Sequence, residues 1–159
     1  MDDFYCCNGA GSTNNDFLGD TTVHKLLPNA DGDTNLWVGS DGNSTSNYLL
    51  VDENSPSASD YVESGTLTAT DLYNFENLPG GVSGRTVFGV EHWSWAKTTA
   101  LPNTMAQVTK LSITEVEGPT ETMTVTDTWY VHRQETKPGG GAWATSDVDS
   151  AQHGSRVKS

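Results

Sequence analysis

Two polar stretches carry the side chains best suited to a hard cation. Asn29-x-Asp31-x-Asp33-x-Asn35 sets four oxygen-bearing side chains at alternate positions, and Asp41-x-Asn43-x-Thr45 adds three more. Calcium takes about six to eight oxygens, so such loops supply part of a shell. The first lacks the distal bidentate Glu of an EF-hand loop, and Asp-Gly-Asp strings also make plain turns through side-chain-to-backbone bonds. Solvated turns are the expectation, and calcium is the cofactor that Asn29, Asp31, Asp33 and Asn35 would take if they act as ligands.

Trp93 and Trp95 are two residues apart and project to one face of an extended segment. Exposed, they would stack on sugar rings or on a subunit. A sandwich of this size needs its large residues inside, so core packing is the expectation. Four histidines are scattered at 24, 92, 132 and 153. His92 and His132 fall on extended segments that can face each other. Neither lies beside a nucleophile elbow, and there is no His-Glu-x-x-His helix, so structural roles are expected. Asp127, between Val125 and Trp129, is a candidate inward carboxylate, with an edge or subunit contact as the plainer account. Pairs of carboxylates for glycoside hydrolysis can always be picked from 21 acids and carry no signal. Cys6 and Cys7 are adjacent; a vicinal disulfide demands strained geometry, so two free thiols on alternate faces of a first strand are expected. No residue set amounts to an enzyme signature.

The elements that must position these groups are strands. The chain has 159 residues, with 21 Thr, 15 Ser, 11 Asn and 16 Gly, all poor helix formers. That mixture suits short strands and tight turns. Extended segments are expected at 2–7, 21–27, 47–52, 72–78, 85–97, 107–116 and 122–133, with 29–46 as loop. The last of these alternates most cleanly, with Met123, Val125, Trp129 and Val131 against a face of Thr122, Thr124, Thr126 and Thr128 that would meet solvent or a neighbouring subunit. Gly118-Pro119 marks a turn. A short helix capped by Thr145 or Ser146 runs to about Gln152, closed by Gly154. The sum is an all-β chain: an antiparallel β-sandwich, jelly-roll-like, with one short C-terminal helix, in a single domain over 1–159.

Charge narrows the partners. Eight Lys and Arg against 21 Asp and Glu leave −13, a surface that repels phosphate, so nucleic acid is excluded as a partner. No apolar run approaches the ~20 residues that span a bilayer, and no basic amphipathic stretch suits an anionic membrane. No charged-then-apolar leader follows Met1, so synthesis in the cytoplasm is expected.

Several stretches carry a resemblance. Asp2 to Asp20 (DDFYCCNGAGSTNNDFLGD), Leu26 to Asp33 (LLPNADGD), Asn47 to Glu53 (NYLLVDE) with Asp60-Tyr61-Val62, and the closing Gly141-Ala142-Trp143-Ala144-Thr145 through Gly154 are similar to segments of a tailed-bacteriophage virion structural protein family. In that family the domain often follows a concanavalin-like lectin domain, and the opening run resembles the junction between the two. The resemblance implies a virion-associated protein without catalytic residues, on the exterior of capsid or tail. Capsid decoration is the implied role, with the major capsid protein or other virion proteins as partners and a homo-oligomer, guessed to be a trimer, as the assembled form. The alternative is a tail-fibre or tail-tip protein that binds host-surface glycans through Trp93, Trp95 or the acidic loops.

Overall fold

The computed structural model describes residues 21–159. The segment 2–7 with its two cysteines, the turn after it and the run up to Asp20 therefore lie outside the described residues. Among the described residues, nine strands form three antiparallel sheets, with one short α-helix near the C-terminus. The main sheet has the order β1-β4-β9-β6-β7, built from β1 (Pro28–Asn35), β4 (Thr70–Phe75), β9 (Gln152–Val157), β6 (Thr104–Leu111) and β7 (Thr114–Thr122). A small pair joins β2 (Val38–Gly39) to β3 (Val62–Glu63), and a second pair joins β5 (Val90–Ala96) to β8 (Thr128–Gln134). The architecture is all-β and sandwich-like, with the helix α1 at Thr145–Ser150.

Several local expectations change. Pro28 does not stop a strand but opens one: β1 is an edge, and its first position tolerates a residue that cannot donate. The sequence PNADGDTN has little strand propensity, so tertiary bonds hold it extended. The Asn74 side chain donates to the Asp31 carbonyl at 2.7 Å, and the Asp33 amide donates to the Gln152 side chain at 3.0 Å. Residues 21–27 are irregular, and Asn47–Leu50 is a 3₁₀ turn rather than a strand.

The expected strand 107–116 is a hairpin. Ser112 and Ile113 form its two-residue turn, Ser112 takes a left-handed φ of 56°, and β6 and β7 pair on either side. Gly118-Pro119 makes no turn; it sits at a bulge in β7, where the pairing passes from Ala106–Thr120 to Val108–Glu117. A bulge on an edge strand leaves the missing N–H of Pro119 without cost. The segment 122–133 breaks at residues 123–127, so its Thr face is split between β7, a turn and β8. Helix α1 begins at Thr145, with the Ala144 amide donating back to the Asp147 carboxylate at 2.9 Å, and Gly154 belongs to β9.

Alternation and register put Gln107 and Thr109 of β6 and His153 of β9 on one face of the main sheet. The two-stranded β5–β8 sheet, whose strands are joined in the chain through the β6–β7 hairpin, packs over that face. Gln107 makes the junction: its Nε2 lies 3.0 Å from the His92 carbonyl, 3.0 Å from the Tyr130 carbonyl and 3.1 Å from Ser94 Oγ. Gly118 lets the β5–β8 sheet close down on β7, because a Cβ there would stand 2.8 Å from the His132 ring. Leu72, Met105, Ala106, Val108, Tyr130 and Trp143 are buried, and Trp143 donates its indole N–H to the Gln134 carbonyl at 3.2 Å.

A second buried polar knot ties the 3₁₀ turn to β4. The Asp71 carboxylate accepts from Tyr73 Oη at 2.6 Å, Asn47 Nδ2 at 2.8 Å and the Trp37 amide at 3.2 Å. Burial, then the Asp71 charge, hold the Tyr73 phenol protonated far above its ordinary range.

Replacing Gln107 by Leu strips buried acceptors of their donor and is expected to cost about 1–3 kcal/mol in urea unfolding. Gly118→Ala should cost a similar ~1–3 kcal/mol through overpacking against His132. Ile113→Ser, on an exposed turn, should stay within ~0.5 kcal/mol of the parent.

Candidate functional site

The faces of β5 alternate as the sequence indicates, but their orientation is the reverse of the core-packing expectation. Trp93 is 55% exposed and Trp129 50% exposed, while Tyr130 and Gln134 point inward and are buried. The cause is what each face has to meet. Gln107 needs the carbonyls and the Ser94 hydroxyl above it, and the small side chains of Ser94 and Ala96 let the two sheets approach. The indoles are left on the outside.

Register arranges the outer face in three rows. Glu91 stands opposite Arg133, Trp93 opposite Val131, and Trp95 opposite Trp129. The Trp93 and Trp129 rings meet edge to face, with centroids 5.9 Å apart and planes at 73°. The Trp93 indole N–H donates to Glu91 Oε2 at 3.0 Å, and Glu91 Oε1 accepts from Arg133 Nε at 2.6 Å. Lys97 and Asp127 pair at 3.2 Å at the other end. Asp127 is thus an exposed partner of Lys97 rather than an inward carboxylate. Val131, opposite Trp93, is exposed beside the rings. The result is an apolar aromatic strip bounded by two ion pairs. Trp95 is half-buried within it, so the strip contains both tryptophans the sequence singles out and adds Trp129. Trp129 falls on the apolar side of its period-two pattern, but only the cross-strand register with Trp95 joins it to the pair.

The four residues considered for calcium have separate tasks in the structure. The Asp31 carboxylate accepts from the Ser46 amide at 2.6 Å and the Tyr48 amide at 3.1 Å, anchoring the start of the 3₁₀ turn. Asp33 pairs with Lys110 at 2.9 Å and accepts from Gln152 at 3.1 Å, and the Lys110 and Gln152 bonds hold its carboxyl below the usual range. Asn35 Oδ1 accepts from Asn47 Nδ2 at 2.8 Å, and Asn29 is exposed. Asp41 closes a local turn by accepting from both the amide and the side chain of Asn43, each at 3.0 Å, which lowers its pKa. Among the described residues no three His, Cys, Asp or Glu side chains are grouped so as to hold a metal ion.

His92 and His132 do face each other, as a cross-strand pair on the inner face of the β5–β8 sheet. The His153 ring lies 5.6 Å from that of His92, edge to face with Phe75 at 5.4 Å, and its Nδ1 meets Thr109 Oγ1 at 3.0 Å. Burial lowers the pKa of all three, that of His153 to about 4. Sequence distance hides the third member, since His153 reaches the pair only through the β9–β6 register. No protein-family model, curated protein or solved structure matches this chain.

Truncating the outer rings should cost less than emptying the core. Trp93→Ala is expected to shift urea unfolding by about 1–3 kcal/mol, because only about half of the ring's area is out of water. Leu72→Ala, in the core, should cost about 2–5 kcal/mol.

Proposed function

We propose that this domain is a non-catalytic virion structural protein of a tailed bacteriophage, acting as a capsid decoration protein that docks through the tryptophan strip of the two-stranded β5–β8 sheet. The observation that carries the docking part is the exposed Trp93–Trp129 pair beside Val131. Large apolar rings left in water, next to an arginine and rimmed by charge, have the composition of a protein–protein hot spot. The virion setting rests on the resemblance of residues 2–20, 26–33, 47–53, 60–62 and 141–154 to phage structural proteins. The occupant is a shell protein, the major capsid protein in this reading. A net charge of −13 keeps free copies soluble and apart until that apolar strip meets its partner. Many copies in a closed oligomer, such as a trimer, would make modest single contacts cumulative.

A second reading, host-glycan recognition at a tail fibre or tail tip, draws support from one feature of the same strip. Glu91 and Arg133 stand beside the Trp93 ring, with the carboxylate already oriented by the guanidinium. A pyranose stacked on the indole would find hydroxyl partners there.

The test is a phage carrying Trp93→Ala and Trp129→Ala together. Decoration predicts that purified wild-type particles hold the protein at a copy number near that of the major capsid protein, and that the variant is lost from them by tenfold or more. Loss of host adsorption with the variant still on the particle, at a few copies, would move the assignment to the tail. A variant retained at full copy number with normal adsorption would overturn both.

A further inference from the structure

Three histidines meet where the Trp-bearing β5–β8 sheet rests on the main sheet. His92 comes from β5, His132 from β8 and His153 from β9, so the cluster spans the junction rather than lying within one sheet. Its polar atoms are only partly satisfied. His92 Nε2 meets Ser94 Oγ at 3.3 Å and His153 Nδ1 meets Thr109, but His92 Nδ1 and His132 Nε2 are shut from solvent with no hydrogen-bond partner. An unpartnered ring nitrogen is tolerable when neutral and costly when it must hold a proton out of water.

No counter-charge stands ready. Around the cluster, β6 presents Gln107 and Thr109, β7 presents Gly118, and β4 presents Phe75 and Tyr73, none of them anionic at neutral pH. Asp71, further along β4, already accepts from Tyr73, Asn47 and Trp37. Lys110 and Arg156, on the opposite face of the main sheet, pair with Asp33, Glu115 and Glu117, and Lys158 also takes Glu117. Glu91 and Arg133 pair on the outer face of the β5–β8 sheet, and Lys97 with Asp127 beyond its end. The charges that act on His92 are those of His153 and His132, so each proton taken up opposes the next.

We propose that His92, His132 and His153 form an acid-sensitive latch that holds the two-stranded β5–β8 sheet on the main sheet when neutral and lets the two separate when protonated. The device regulates the tryptophan strip, and its link to docking rests on the reading given above; the latch itself does not. Gln107 works in the same place. Its bonds to the His92 and Tyr130 carbonyls need the sheets in contact, so a small separation at the histidines removes them together.

The sign follows from the depressed native pKa of these rings. The detached state takes up protons near the ordinary histidine value of 6.5, whereas His153 in place holds off until about 4. Stability of the junction is therefore complete above pH ~6.5 and declines as pH falls toward 4. A single such histidine makes opening about tenfold easier per pH unit in that window.

Hydrogen exchange tests this on the free protein, without any ligand. Between pH 6.5 and 4.5, after correction for intrinsic exchange, amides of 90–96 and 128–134 should lose protection by at least ~100-fold while β4 keeps its own. His92→Gln, His132→Gln and His153→Gln together should reduce that loss to tenfold or less, since His153 by itself would still carry about tenfold per pH unit. In the unmodified protein, NMR titration of the imidazoles should place His92, His132 and His153 below the ordinary histidine range, which keeps the idea testable if the triple variant does not fold. Protection that stays constant to pH 4.5, or that falls equally in every strand, would overturn the latch, as would imidazoles titrating at 6.5 or above. Failure of docking at pH 7.5 would bear on the function alone.

Discussion

The Gln107 carboxamide leaves β6 opposite the Gly118-Pro119 bulge and reaches carbonyls on both β5 and β8. Those carbonyls belong to a two-stranded sheet, which is marginal by itself in water. One side chain thus connects an element of little independent stability to the five-stranded sheet. It also fixes which face of that element is inside. With His92, Ser94 and Tyr130 drawn toward Gln107, the alternate residues Glu91, Trp93 and Trp95 have only solvent to face. The bulge opposite Gln107 and the missing side chain of Gly118 belong to the same arrangement, since both let the β5–β8 sheet come close.

This junction is polar where a sandwich interior is ordinarily apolar. Gln107, Thr109 and His153 are buried, and their hydrogen bonds specify one placement of the β5–β8 sheet in a way that greasy contacts would not. The same choice leaves neutral imidazoles in a confined space without acids beside them. An aromatic strip on the outside and a histidine cluster on the inside are therefore two faces of one two-stranded sheet. The Asp71 knot plays the matching part elsewhere, where a carboxylate rather than an apolar cluster seats Trp37 and the 3₁₀ turn against β4.

The all-β class was legible in composition, and the alternation of β5 and β8 was legible residue by residue. The pairing of His92 with His132 was also within reach, because both lie on clean extended segments. The strand β1 was not, because PNADGDTN has the composition of a turn and is held extended by pairing with β4 and by bonds with Asn74 and Gln152, distant in the chain. The hairpin at Ser112-Ile113 was hidden for a similar reason: Ser-Ile contains none of the Gly or Asn that two-residue hairpin turns favour, and Ser112 accepts a left-handed φ that the β6–β7 pairing imposes.

Local chemistry determined what each strand's two faces contain, since a period of two is a property of the extended backbone alone. Which face is buried depends on what stands opposite, and for β5 and β8 that is Gln107, Thr109, Gly118 and His153, brought together across separations the chain itself does not encode locally. The tertiary structure alone therefore decided that the tryptophans meet solvent and the histidines meet one another. A pattern with apolar rings on one side and polar rings on the other is satisfied in water either way round, until a buried donor fixes the direction.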